Sequence, residues 1–301
     1  MEQYDPSDLT KKIISDDENE RDLAVDLLAK LPPDSFPMDK LKVEAQTLLT
    51  RWLLCDPVVT KSEPPCDEYI PFRSANYPKE WPLITAKYAS LISALCAVNK
   101  KDNAAFFIEL AIMRQEPRGR AHEAFKKELK SSGSWPPTTQ MDKWTSNQKR
   151  LYELYQIVYA MSSPEVKAAA GCGEYAIDPA MATLKDRTKC EAVRWTMEQI
   201  LELIGEPAVT QLMSGLCSRE AFTKRLCAAA LGRIYQGKYS SGSASCQRVV
   251  AKLVGLLRNP FRPTEFRRSI SRDLESITGQ DLGVAHRKWK RWLEGQGRGT
   301  T

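Results

Sequence analysis

Two histidines and eight cysteines are the side chains of this sequence with the most chemistry to offer. Neither His122 nor His286 lies in an HExxH pattern, which on a helix would set two imidazoles on one face around a metal. No CxxC pair occurs, and no Cys/His spacing suits zinc. No metal ligand set and no cofactor site is therefore expected. A Cys–His nucleophilic pair could form across the fold, with the imidazole activating the thiol. Cys172, between Gly171 and Gly173, is the cysteine in the least helical setting and the candidate exposed thiol; the plainer alternative is a thiol at a helix end. There is no GxxxxGK[ST] loop to cradle a phosphate and no GxGxxG turn. Carboxylates are plentiful, but no pair stands out. The expectation is a protein without catalytic residues.

Charge gives a stronger hint. The formal net charge of +6 conceals an asymmetry. Residues 1–50 carry twelve acidic and six basic side chains, and residues 251–301 carry eleven basic and five acidic ones. Arg267, Arg268 and Arg272 crowd one segment, and Arg287, Lys288, Lys290 and Arg291 another. Six of these, Arg267, Arg268, Arg272, Arg287, Lys288 and Arg291, form a candidate basic patch. Such a cluster can be a phosphate-backbone footprint. It can equally be the polar outer face of a terminal helix that closes a stack. Ala285, Trp289, Trp292 and Leu293 recur at i, i+4, i+7 and i+8 beside it, so the two tryptophans are expected to seal a core. Asp273, Glu275 and Glu294 dilute the positive field, which favours the capping reading.

The segments that position these residues read as helices. Apolar residues make up 42% of the chain, enough for a packed core, and few stretches alternate apolar with polar residues. Ser15 and Glu18 have the capping-box form, followed by Leu23, Leu27, Leu28 and Leu31 at helical spacing, until Pro32-Pro33 ends the run. Further helices are predicted over about 38–54, 83–98, 102–115 and 119–129. Residues 57–81 break the pattern with five prolines and with Tyr69, Phe72, Tyr77 and Trp81. So long a stretch without structure of its own is either functional or draped on the helices. Draping is preferred, yet these four aromatics are the candidate partner-binding residues. Ser131 to Pro137 marks a boundary. Beyond it, Thr145 and Gln148 form a second capping box before Leu151, Leu154, Tyr155 and Val158. Ser163-Pro164 then starts a helix that Gly171 can close.

The last part of the chain repeats itself. Superposing Arg194, Arg225 and Arg268 brings Ile200, Leu231 and Leu274 together, and Leu203, Ile234 and Ile277 as well. The arginine spacings, about 31 and 43 residues, suit helical-repeat units. Each of these helices follows a shorter one, and two-helix units bury their apolar faces by stacking. The run Phe222-Thr-Lys-Arg-Leu-Cys-Ala-Ala-Ala-Leu-Gly-Arg-Ile234 resembles the second helix of a HEAT repeat. The tail Ser276-Ile-Thr-Gly-Gln-Asp-Leu-Gly283, with Trp289 and Trp292 after it, is similar to the closing segment of many bacterial HEAT-repeat proteins. The resemblance covers roughly residues 175–296. It implies an all-α fold, an α-solenoid of HEAT-like helical hairpins with a less regular N-terminal helical region. The repeated arginine would then tie one unit to the next.

The organisation expected is an N-terminal helical region over 1–130 carrying the 57–81 loop. HEAT-like repeats with a C-terminal capping helix follow over 138–296, then a tail over 297–301. The N-terminus is acidic and lacks the apolar core of a secretory signal. No apolar run approaches the roughly 18–20 residues that span a bilayer. The cysteines sit mostly in apolar helical settings, such as Leu54-Cys55, Leu95-Cys96 and Leu226-Cys227. That fits free thiols in a reducing, cytoplasmic setting. The function expected is a non-catalytic scaffold or adaptor that holds a protein partner on a helical-repeat surface. The alternative is nucleic-acid binding by the basic C-terminal third. No membrane partner is expected.

Overall fold

Apolar residues at helical spacing give helices, and the computed structural model is all-α among the residues it describes: 6–28, 30, 38–55, 81–98, 100–131, 163–239 and 242–296. The chain divides into two compact units, Met1–Pro179 with Arg187–Thr196, and Ala180–Asp186 with Met197–Thr301.

In the first unit, α1 (Pro6–Ile13), α2 (Glu18–Leu28) and α3 (Met38–Cys55) pack on or beside α4 (Trp81–Val98). Leu9 and Ile13 of α1, Ala24 and Leu28 of α2, and Leu41, Ala45 and Leu48 of α3 are buried at i, i+4 spacing. Helix α4 answers with Tyr88, Leu91, Ile92, Ala94 and Leu95. Two expectations are corrected here. The cap of α2 is Asp17, whose carboxylate accepts from the Asn19 N–H at 2.8 Å. Ser15 instead donates to the Glu20 carboxylate at 2.6 Å. Leu23 is exposed, because the stripe that faces α4 runs through Ala24 and Leu28.

Helix α5 runs unbroken over Lys100–Ser131, where the sequence predicts two helices divided near Pro117. The Pro-Arg-Gly run looks like a stop signal, but Gly119 has a packing role. A Cβ there would overlap the Cys190 sulfur and lie 2.8 Å from the Ala192 Cβ. Residues 190–193 press on this helix, with Val193 buried and Ile112 packed against the cluster. Helix α6 (Pro164–Gly171) packs on both α4 and α5. A 3-10 turn over Gly173–Ala176 follows it. The capping box at Thr145 and Gln148 and the break at 131–137 fall mostly or wholly outside the described residues.

Helices α7 (Ile177–Lys185) and α8 (Glu191–Ile204) contribute residues to both units. The second unit continues with α9 (Val209–Gly215), α10 (Ala221–Ile234), α11 (Ala244–Leu256), α12 (Thr264–Thr278) and α13 (His286–Gln296). Helix α10 is deeply enclosed: Leu226, Cys227, Ala228, Ala230, Leu231 and Ile234 are all buried. It packs between α9 and α12. Its small residues permit the approach. A Cβ on Gly232 would meet the Asp273 Cα of α12 at 3.3 Å. Gly279 ends α12 in the left-handed region at φ 70°, which favours glycine.

Helix α13 packs against α11. Trp289 is fully buried, as its apolar stripe predicts, and its indole N–H donates to the Gly283 carbonyl at 2.7 Å. Trp292 is half-buried, with its ring 4.9 Å from Tyr239 and edge-on to Trp289 at 5.9 Å.

Candidate functional site

The first unit holds a buried charged cluster. Glu165 of α6 is completely buried, and Arg114 of α5 reaches both its oxygens through Nη1 at 3.0 and 3.1 Å. The Tyr88 hydroxyl of α4 donates to Glu165 Oε2 at 3.3 Å. Burial, and then the Glu165 charge, push the Tyr88 phenol far above its ordinary range. It therefore stays a hydrogen-bond donor. Sealed from water, this cluster ties three helices together, and its energetics are those of a buried ion pair.

A second polar feature lies in the other unit. A cleft of about 420 Å³ is lined by Glu202, Glu206, Arg233, Tyr235, Lys238 and Ser243 among others. Its charges are largely committed. Arg233 pairs with Glu198 and Glu202. The Tyr235 hydroxyl bonds to Ser245 Oγ at 2.8 Å, and Ser243 Oγ caps α11 by accepting from the Cys246 N–H at 3.4 Å.

The most outward feature is Phe261, which is 93% exposed. The turn that carries it is ordered. The Asn259 side chain accepts from the Phe261 N–H at 2.9 Å, and the Arg262 N–H reaches the Asn259 carbonyl at 3.4 Å. Asparagine before proline builds such a turn because its side chain bonds the backbone two residues on. Phe261 is thus held out rather than left loose. Cations flank it along the chain. Arg258 and Arg262 flank it, and Arg262 stacks over the Phe266 ring at 5.0 Å. Burial, with the like charges of Arg262 and Lys252 beside it, lowers the Lys224 ammonium below its usual range. Three cations from α10, α11 and the α11–α12 loop therefore share one neighbourhood.

The candidate basic patch is placed unevenly. Arg267 is half-buried and donates to the Val284 carbonyl at 2.9 Å, so it fastens α12 to the segment before α13. Arg268 pairs with Glu265 on its own helix at 2.7 Å. Arg272, Arg287, Lys288 and Arg291 are exposed. The three superposed arginines do not share a setting. Arg194 is buried, Arg225 stacks on Phe222 of its own helix at 4.8 Å, and Arg268 pairs as above.

Cys172 is not the exposed thiol. It caps the end of α6, is buried, and faces Cys96 of α4. Cys217 is exposed instead. His286 begins α13 and His122 lies on α5. Tyr69, Phe72 and Tyr77 lie outside the described residues, as does the side chain of Trp81, at the start of α4. Sequence reasoning missed Phe261. The signal was present: an aromatic residue between Pro260 and Pro263, immediately after an Asn-Pro turn.

No group of His, Cys, Asp and Glu suited to a metal ion occurs among the described residues. No described helix is long and apolar enough to cross a membrane. No protein-family model matches the sequence, and no curated protein or solved structure matches it either.

Proposed function

We propose that the chain is a non-catalytic adaptor whose second unit is a HEAT-like stack of helical hairpins, and that it holds a protein partner with an acidic surface at Phe261. The observation that carries this reading is the exposure of Phe261 on an ordered turn that Arg258 and Arg262 flank in sequence, with Arg262 in turn close to the cations of α10 and α11. Interface energy concentrates in a few aromatic and arginine anchors ringed by polar contacts. A large apolar side chain held out in water loses little conformational freedom on docking. The surrounding cations supply steering and register toward a partner of opposite sign.

Two contacts support the stacked-hairpin reading. Superposing Arg194 on Arg225 places Glu202 on Arg233, and these two residues meet. Superposing Arg225 on Arg268 places Arg233 on Ser276, and the Ser276 carbonyl accepts from the Gly237 N–H at 2.9 Å. The first contact joins residues that correspond, and the second joins α12 to the residues just beyond α10, an arrangement that suits side-by-side repeats.

A photo-crosslinking side chain introduced at Phe261 tests the adaptor role in cells of origin. Crosslinks to one acidic protein are expected, and they should be lost when the exposed Lys252 and Arg258 are reversed to Glu. Crosslinks to nucleic acid, or unselective crosslinks unaffected by the reversals, would refute the reading.

A further inference from the structure

The two thiols that meet at the end of α6 have chemistry that the adaptor role does not use. Cys96 lies in the last turn of α4, and Cys172 caps α6. The Cys96 sulfur sits 3.9 Å from the Ala168 carbonyl oxygen and would be 3.5 Å from a Cβ on Gly171. It therefore lies over the final turn of α6, beside the Cys172 that caps that helix. Helices α4 and α6 pack directly on each other. The two sulfurs differ in access: Cys96 is half-buried, whereas Cys172 is only 3% exposed.

We propose that Cys96 and Cys172 form a reversible disulfide, with Cys96 attacking a hydroperoxide and Cys172 resolving the product. The Cys96 thiolate attacks the terminal peroxide oxygen, the O–O bond breaks, and the leaving alkoxide or hydroxide takes a proton. Cys96 is then a sulfenic acid. The Cys172 sulfur attacks the Cys96 sulfur, the S–O bond breaks, and water leaves with the Cys172 proton. In total, two thiols give up two electrons and two protons, and one hydroperoxide becomes one alcohol (or water) and one water. A dithiol reductant reverses the oxidation by exchange.

Reactive thiols of this kind are accessible, largely ionised at neutral pH and placed beside a resolving cysteine. The hydrogen bond from Cys172 is the main influence that draws the Cys96 thiol down to about 6, with Lys100 helping and burial opposing. The same contact, then burial, drives Cys172 far upward, which leaves it protonated as the donor. Cys190 and Cys246 are pushed upward by burial. Exposed Cys217 is the internal control, since access alone would make it the first to react.

The test treats the full chain with one equivalent of hydrogen peroxide, blocks remaining thiols and maps the peptides by mass spectrometry. A Cys96–Cys172 linked peptide that dithiothreitol dissolves is expected before Cys217 is oxidised. In Cys172→Ala, Cys96 should accumulate as a sulfenic acid trapped by dimedone. Its alkylation midpoint should move from near pH 6 toward the ordinary thiol range. Cys172→Ser keeps a donor, so there the midpoint should stay low while the disulfide is lost. Oxidation of Cys217 ahead of the pair in the folded wild-type chain would overturn the proposal. So would the absence of the linked peptide, or a midpoint unmoved in Cys172→Ala.

Discussion

One part-buried carboxylate shows how position sets chemistry in this chain. Asp273 Oδ2 is buried without a hydrogen-bond partner. Desolvation pushes the carboxyl up to about 7, although Arg233 and Arg272 pull it back down. In the unfolded chain it titrates near 4. Between those values the folded protein keeps a proton that the unfolded chain has released. Stability therefore falls as pH rises through that window and levels off above it. Asp273→Asn removes the dependence. The variant should melt higher than the wild type at pH 8, by up to a few kcal/mol, and the advantage should vanish by pH 4. Thermal melts across that range check this, and an advantage that grows at low pH contradicts it. None of this was legible in the sequence, where Asp273 reads as an acidic residue diluting a basic helix. Its burial arises because Gly232 of α10 lets α12 come close enough to cover it. Phe261 is the opposite case, since its turn is local and its Asn-Pro signal is local too.

Elements were readable where the signal was local and misread where a partner decided. The stripes of α10 and α12, the extent of α3, the proline start of α6 and the glycine end of α12 follow from spacing and caps, whereas α1 was not read from the sequence. The division expected in α5 failed because Gly119 answers to residues 190–192 rather than to its own neighbours. Helix propensity alone favours Gly119→Ala by about 1 kcal/mol. Packing opposes it: the new methyl would overlap the Cys190 sulfur and meet the Ala192 Cβ, which has no rotamer to yield. Overpacking of this kind costs about 1–3 kcal/mol, so the net effect should be destabilising. Denaturant unfolding should show a lowered midpoint for Gly119→Ala, and Ala192→Gly in the same chain should recover part of it. A raised midpoint in the single variant would mean that residues 190–192 do not press on α5. The superposed arginines teach the same lesson. Their alignment is a sequence pattern, yet Arg225 and Arg268 spend their contacts within their own helices, and Arg233 joins neighbouring ones.

For the whole chain, the question that charge raises is which partner it meets. A net charge of +6 with the positive excess in residues 251–301 suits either a phosphate backbone or an acidic protein. The two differ in what salt and an apolar truncation do. Backbone binding weakens by about 0.9 in log affinity per log salt for each phosphate neutralised. It is indifferent to a phenyl ring unless that ring stacks on a base. Two arginines of the basic third are already engaged, Arg267 with a carbonyl and Arg268 with a carboxylate. Four members of the patch, Arg272, Arg287, Lys288 and Arg291, stay exposed, so the phosphate footprint is reduced to those. Binding of the purified chain to a generic duplex at physiological salt should stay in the non-specific range, about 10⁻⁴–10⁻⁶ M, and Phe261→Ala should leave it unchanged. Lys252→Glu with Arg258→Glu should flatten its salt dependence by no more than about 2 in slope, one unit per contact at most. Affinity for the protein partner should instead fall at least tenfold in Phe261→Ala, mainly through faster dissociation, while the charge reversals act chiefly on association. Sub-micromolar duplex binding at physiological salt, abolished by the two reversals, would mean that Lys252 and Arg258 serve nucleic acid. In that case Phe261 would stack on a base rather than fill a pocket, and Phe261→Trp would preserve binding where Phe261→Leu would not.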